Sequence, residues 1–160
     1  MDEPSTEPGV VVRPAERDDV DALVMLRAEM FLAIGAAGAE EPGWRRAARD
    51  WFLVHVDDPA VCIAVVEEEG AVVSVAIGVR EDGIPSPGGD GSRVHLSNVS
   101  TLPHARHRGH ARRAVASVLE WADGQAVART ELFATEEGRP LYASFGFRVH
   151  PFPSMRRPRP

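Results

Sequence analysis

The chain has 160 residues, 44% of them hydrophobic and 26% charged, and a formal net charge of −6. That is the size and balance of one globular domain; no apolar run approaches the roughly 20 residues of a membrane span, and a single cysteine excludes an intramolecular disulfide or a cysteine zinc cage. All 18 basic residues are arginine, which excludes a P-loop lysine and a Schiff-base lysine, and the acidic balance speaks against a general nucleic-acid binder.

Residues 1–9 are polar and acidic, read as a disordered tail, and have neither signal-peptide nor transit-peptide character, so a cytoplasmic location is expected. Residues 10–13 form a short apolar strand stopped by Pro14. Asp18 is a candidate helix cap, and Val20, Leu23, Leu26, Met30 and Ile34 recur at spacings of three and four, a buried helical stripe. A second helix starts near Pro42, with Trp44, Ala48, Trp51, Phe52 and His55 on one face. Residues 60–66 and 71–79 are β-rich and flank a turn over residues 67–70. Glycine and proline crowd residues 83–89, a loop, before a strand over 94–101. A helix over 109–123, a strand over 130–134, a short helix over 139–145 ended by Gly146, and a last strand over 147–150 complete the order. The expected architecture is mixed α/β, with a mainly antiparallel central sheet flanked by helices. It comprises a single domain over residues 10–150 and a proline- and arginine-rich tail over 151–160.

The sharpest segment is Ser97 to Ala111. A β-run ends at Thr101, Pro103 forbids further pairing, and the chain turns through Arg106, His107, Arg108, Gly109 and His110 into a helix. A helix N-terminus offers unpaired N–H groups and the positive end of the dipole. Glycine and alanine at 109 and 111 allow close approach to the backbone, and Arg106, Arg108, Arg112 and Arg113 add charge, so the segment suits a pyrophosphate. His104, His107 and His110 lie three apart, but the interleaved arginines repel a cation and no carboxylate lies near, so no metal is expected. No aromatic residue is interleaved for base stacking, so no nucleic acid is expected either. Cys62 alternates with apolar neighbours and reads as core, as do Trp44, Trp51 and Trp121, the first two seven residues apart on one helix face.

A strand, a proline, then Arg106-x-x-Gly109-x-Ala111 opening a helix resembles the acetyl-CoA-binding signature of the GNAT acyltransferases. A second segment, Ala134 to Tyr142 followed by Phe145-Gly146-Phe147, is similar to that family's second cofactor segment, and the opening Val12-Arg13-Pro14 to its start. The resemblance spans roughly residues 10–150. It implies a GNAT-like fold and direct transfer of an acetyl group from acetyl-CoA to an amine, with acetyl-CoA as cosubstrate. Backbone N–H groups of Val99 and Thr101, with Ser100 between them, would hold the pantetheine and polarise the thioester carbonyl. The turn from Arg106 to Ala111 would cradle the pyrophosphate. Thr135 stands where the family often has an asparagine near the pantetheine arm. Tyr142 matches the family's general acid. For the general base, the candidates are Glu29, on the first helix off its apolar stripe, His95, on the strand leading to the cofactor, and a water chain. His95 and Ser97 alternate on one face of that strand, with Asn98 expected to point the other way. The acceptor is expected to be a cationic amine, a small molecule or a protein N-terminus, drawn by the acidic balance. The family often dimerises, so a homodimer belongs to the expectation, although the sequence itself carries no oligomer signal. An acyl-CoA-binding domain without turnover is the competing expectation.

Overall fold

The computed structural model describes residues 7–160. Of the tail expected over residues 1–9, residues 1–6 lie outside the described residues; Glu7 to Gly9 form a turn into the first strand, where the Val10 N–H donates to the Glu7 carbonyl at 3.1 Å. One sheet runs in chain order through β1 (Val10–Pro14), β2 (Val61–Glu68), β3 (Ala71–Glu81), β4 (Arg93–Thr101) and β5 (Arg129–Leu132). The first four strands are antiparallel neighbours, and β5 alone pairs in parallel, with β4. Glu69 and Gly70, at φ 50° and 83°, make the tight turn that joins β2 to β3.

Helices cover both faces. α1 (Val20–Ala33) and α2 (Gly43–His55) pack on one, where Leu23, Leu26 and Phe52 meet Ile63, Val65, Val75 and Ile77. α3 (His110–Gly124) is the crossover from β4 to β5 and packs on the other, where Val115 and Val118 meet Ala64, Val66, Ala76 and Leu96. Burial on both faces explains why β2 and β3 read as nearly continuous apolar runs rather than alternating ones. Gly78 is set by this packing: a methyl there would come within 2.7 Å of Val118 Cγ1 and 3.2 Å of Trp121 Cζ3. Trp121 thus docks α3 on the sheet, as expected.

Three expectations need correction. α1 follows a 3-10 turn over Arg17–Asp19, so its cap is Asp19 rather than Asp18. The apolar stripe of α1 is buried at Val20, Leu23 and Leu26 but not at its end, where Ile34 is 56% exposed. Residues 147–150 are not a strand. After the short helix α4 (Arg139–Ser144), the Phe147 N–H turns back to the Tyr142 carbonyl at 3.2 Å, Phe147 packs against the core without pairing, and Val149 lies exposed.

Candidate active site

The site begins with a fault in β4. Val75 of β3 faces Ser100 and Ile77 faces Ser97, so Asn98 and Val99 together oppose Ala76. Asn98 takes φ 54°, a left-handed conformation that asparagine tolerates better than most residues. The bulge reverses the strand's parity. Leu96 packs with α3, whereas after the bulge the Asn98 side chain reaches Arg27 of α1 and the Ser100 hydroxyl donates to the Leu26 carbonyl at 2.7 Å. The expected opposition of Asn98 to Ser97 therefore fails: a regular strand alternates, and this one inserts a residue.

β5 pairs with β4 only from Arg93 to Leu96, so beyond Leu96 that edge of β4 stands open. The Leu102 N–H donates to Val73 of β3 at 2.9 Å. Alternation along the strand then turns the N–H groups of Val99 and Thr101 to the open edge. The Thr101 hydroxyl contacts Ser74 Oγ at 2.8 Å and Ser74 donates to the Ser100 carbonyl at 3.0 Å, which braces the strand, while on its outer edge the Thr101 carbonyl accepts from Arg106 Nε at 3.1 Å.

A 3-10 turn over Pro103–Ala105 leads from this edge to α3. His107 and Gly109 take φ 61° and 79°, and Gly109 caps the helix. Among the described residues, no backbone N–H from His107 to Arg112 reaches a protein acceptor. A methyl on Gly109 would meet nothing within 4 Å, so glycine serves the backbone conformation here and the space before it is open. These unpaired donors fit a pyrophosphate. Of the four arginines expected to surround it, Arg106 and Arg112 line the cleft. Arg108 instead pairs with Glu68, and Arg113 with Glu7 at 3.2 Å. His110 is buried, and its Nδ1 accepts from Arg113 at 3.2 Å.

A cleft of about 540 Å³ joins this turn to the open β4 edge, with Thr135, Leu141 and Tyr142 on its far wall. Tyr142 is half-buried, stands edge-on to Phe147 at 6.1 Å, and has no hydrogen-bond partner for its hydroxyl among the described residues. Burial holds its pKa above the ordinary tyrosine value, so the hydroxyl stays protonated. Thr135 uses its hydroxyl to accept the Gly138 N–H at 3.1 Å, which winds the start of α4. Glu137 also lines this cleft, and nothing in its spacing singled it out in the sequence.

A second cleft of about 640 Å³ opens between α1, α2 and β3, with Phe31, Trp44, Trp51, Phe52 and Ile77 among its walls and Arg27 beside them. Trp44 and Trp51, read from the sequence as packing residues with an acceptor-pocket wall as the alternative, border this space. Arg27 Nη1 donates to Asn98 Oδ1 at 2.9 Å, which links the two clefts, since Asn98 lines the first. The sequence signal for Arg27 was a lone cation next to buried Leu26 and one turn before Phe31.

The candidate bases are not brought to either cleft. At about 100° per residue, Glu29 lies roughly 200° around α1 from Arg27 and so away from the second cleft, but one turn before Ala33, which lines the first. His95 is in the part of β4 that β5 covers, paired with Glu131, its ring 5.3 Å from Phe133. Cys62 packs on the core, and burial pushes its thiol up to about 11, so it is no nucleophile. Among the described residues, no cluster of three or more His, Cys, Asp or Glu side chains is placed to hold a metal, and no helix is long and apolar enough to cross a membrane.

Comparison with known proteins agrees with this geometry. A GCN5-related N-acetyltransferase from Ralstonia eutropha JMP134 superposes with a TM-score of 0.81 at 27% identity, covering 94% of this chain and 98% of that one. A predicted acetyltransferase with acetyl-CoA from Clostridium acetobutylicum gives 0.80 at 19% identity, covering 92% and 96%. Glucosamine-6-phosphate N-acetyltransferase from Arabidopsis thaliana gives 0.72 at 13% identity, covering 92% and 97%. A search of the curated proteins finds no match. The model of the acetyltransferase (GNAT) family matches residues 22–147. With that match over most of its length, and a mixed sheet bulged and opened at β4 above a glycine-capped helix, the chain belongs to the GNAT acetyltransferase family.

Proposed function

We propose that the chain transfers an acetyl group from acetyl-CoA directly to a primary amine. The observation that carries this reading is the continuity of one cleft, which joins the unpaired N–H groups before α3, the open β4 edge and the Tyr142 hydroxyl. The donors from His107 to Ala111, with Arg106 and Arg112 beside them, hold the pyrophosphate. The N–H groups of Val99 and Thr101 hold the pantetheine arm and stabilise the charge that grows on the thioester oxygen. Ser100 contributes through its backbone, its hydroxyl being committed to α1.

The amine nitrogen attacks the carbonyl carbon, the C–S bond breaks, and the sulfur leaves as thiolate. Tyr142, which lines the same cleft, is the proposed partner of that thiolate. A phenol titrates near 10 and a thiol near 8.5, so full proton transfer is uphill by about 2 kcal/mol before burial raises Tyr142 further. Tyr142 therefore acts chiefly by donating a hydrogen bond to the developing thiolate. The amine's proton leaves to water, because neither Glu29 nor His95 lines either cleft. The net charge of −6 draws in the ammonium form of the acceptor.

Release of free thiol from acetyl-CoA, followed across a panel of amines for the wild type and Tyr142→Phe, tests the reading. Acceptor-dependent release that falls in the variant is the expected result. The absence of Glu29 and His95 from the cleft walls favours one competing reading, a domain that binds acyl-CoA without turnover. Tight acetyl-CoA binding with no release for any amine would establish that reading instead.

A further inference from the structure

Arg27 is a half-buried guanidinium without a carboxylate within 4.0 Å among the described residues. It sits over the Phe31 ring at 4.8 Å from the centroid and donates one hydrogen bond, to Asn98. Its other N–H donors face the cleft between α1 and α2 without a protein acceptor. Partial burial disfavours its charge, and no carboxylate among the described residues neutralises it. A cation held this way is suited to an anion that arrives with a ligand.

The surroundings narrow that ligand. The cleft walls are aromatic rings and alanine methyls, with Glu41 exposed at the rim. The Trp44 indole N–H is already spent on the Ala39 carbonyl at 3.2 Å, and Arg45, outside the cleft lining, stands 5.6 Å from the ring centroid, so Trp44 offers the cleft ring surface and no free donor. Such walls match an apolar body and offer little to a sugar's hydroxyls. Arg27 is also tied to Asn98, next to Val99 in the wall of the cofactor cleft. A carboxylate on Arg27 and an amine at the thioester must then be close to one another in the same molecule.

We infer that the acceptor is an apolar or aromatic α-amino acid, its carboxylate paired with Arg27 and its side chain held between Trp44 and Trp51. The inference rests on the acetyl-transfer reading for the position of the amine, but not for the binding of the carboxylate. It is compatible with steering by net charge, because the ammonium is drawn in by the whole protein while the carboxylate is recognised at one residue.

The test is calorimetric titration of the full chain with CoA present. The ligands are L-phenylalanine, L-tryptophan, L-leucine and L-methionine, each against its decarboxylated amine. At least one amino acid should bind ten times or more tighter than its amine, and Arg27→Gln should abolish that difference while acetyl-CoA binding is retained. Equal binding of each pair, no binding by any amino acid, or a difference that survives in Arg27→Gln would overturn the inference. Should that variant not fold, the wild-type pairs decide alone. Thiol release measured on the same ligands separates the two readings. Selective binding without release removes the transfer reading and keeps this one, whereas equal release from amino acid and amine does the reverse.

Discussion

The two clefts are linked by the hydrogen bond from Arg27 to Asn98 yet are built from opposite materials. The cofactor-side cleft is made of backbone: unpaired N–H groups at a helix start, an open strand edge and a left-handed glycine. The second cleft is made of side chains, aromatic rings around one uncompensated arginine. Backbone recognition needs only glycine, proline and a strand-to-helix order, so it suits one constant ligand and leaves a mark in the sequence. Side-chain recognition depends on which residues two distant helices present to each other, so it can differ between proteins of one fold without changing that fold.

The largest effect should come from Tyr142, the side chain proposed to meet the leaving thiolate. Tyr142→Phe should lower kcat on the order of a hundredfold with little change in acetyl-CoA affinity, read by thiol release and by titration. The pH profile sharpens this. Burial raises the Tyr142 pKa, so the protonated, active form persists above the ordinary value near 10, and the alkaline limb due to this group should lie there and vanish in the variant. An unchanged kcat would break the assignment.

The scaffold that both clefts share should be next. Gly78→Ala places a methyl 2.7 Å from Val118 Cγ1 and should cost about 1–3 kcal/mol, measured by denaturant unfolding. A neutral result would mean that α3 shifts freely on the sheet.

The arginines offer a smaller and more selective comparison. Arg106→Ala and Arg112→Ala should each weaken acetyl-CoA binding about fivefold to tenfold, a loss of roughly 1 kcal/mol. Arg108→Ala and Arg113→Ala, whose charges are paired with Glu68 and Glu7, should change affinity less than about twofold and stability by under about 1 kcal/mol. Equal effects in all four would mean that charge density, not position, holds the cofactor. The smallest effect belongs to Glu29→Gln and His95→Ala, which should leave kcat within about twofold across pH. Loss of the acidic limb in either would identify a base that the resting geometry keeps out of the clefts.

Much of the fold was legible in the residues. Spacings of three and four marked α1 and α3, β-branched runs marked β2 to β4, and Glu69-Gly70 marked the turn between β2 and β3. The last strand was misread because Phe147 to His150 has strand-like composition, while pairing requires a neighbouring edge and a face to bury. Within the site, Gly109 and Tyr142 stood out because local conformation and motif order single them out. Glu29 and His95 were chosen for their chemistry and their places on the first helix and on the strand leading to the cofactor, and neither ground says which way a side chain faces. Glu29 stands one turn before Ala33 and His95 beside Phe133, both of which line the cofactor-side cleft, yet neither candidate lines it itself.

By itself, then, the sequence determined what local forces decide: the helices and strands, the turn into α3 and the family to which the chain belongs. Tertiary structure decided the rest. It inserted the bulge at Asn98, ended β5 early enough to open the β4 edge, and brought Arg27 to a residue 71 positions away. It also divided four adjacent arginines into two that line the cleft and two that carboxylates hold. The physical reason is the same in each case. Those outcomes depend on partners that only the folded sheet places side by side, and no periodicity along the chain records them.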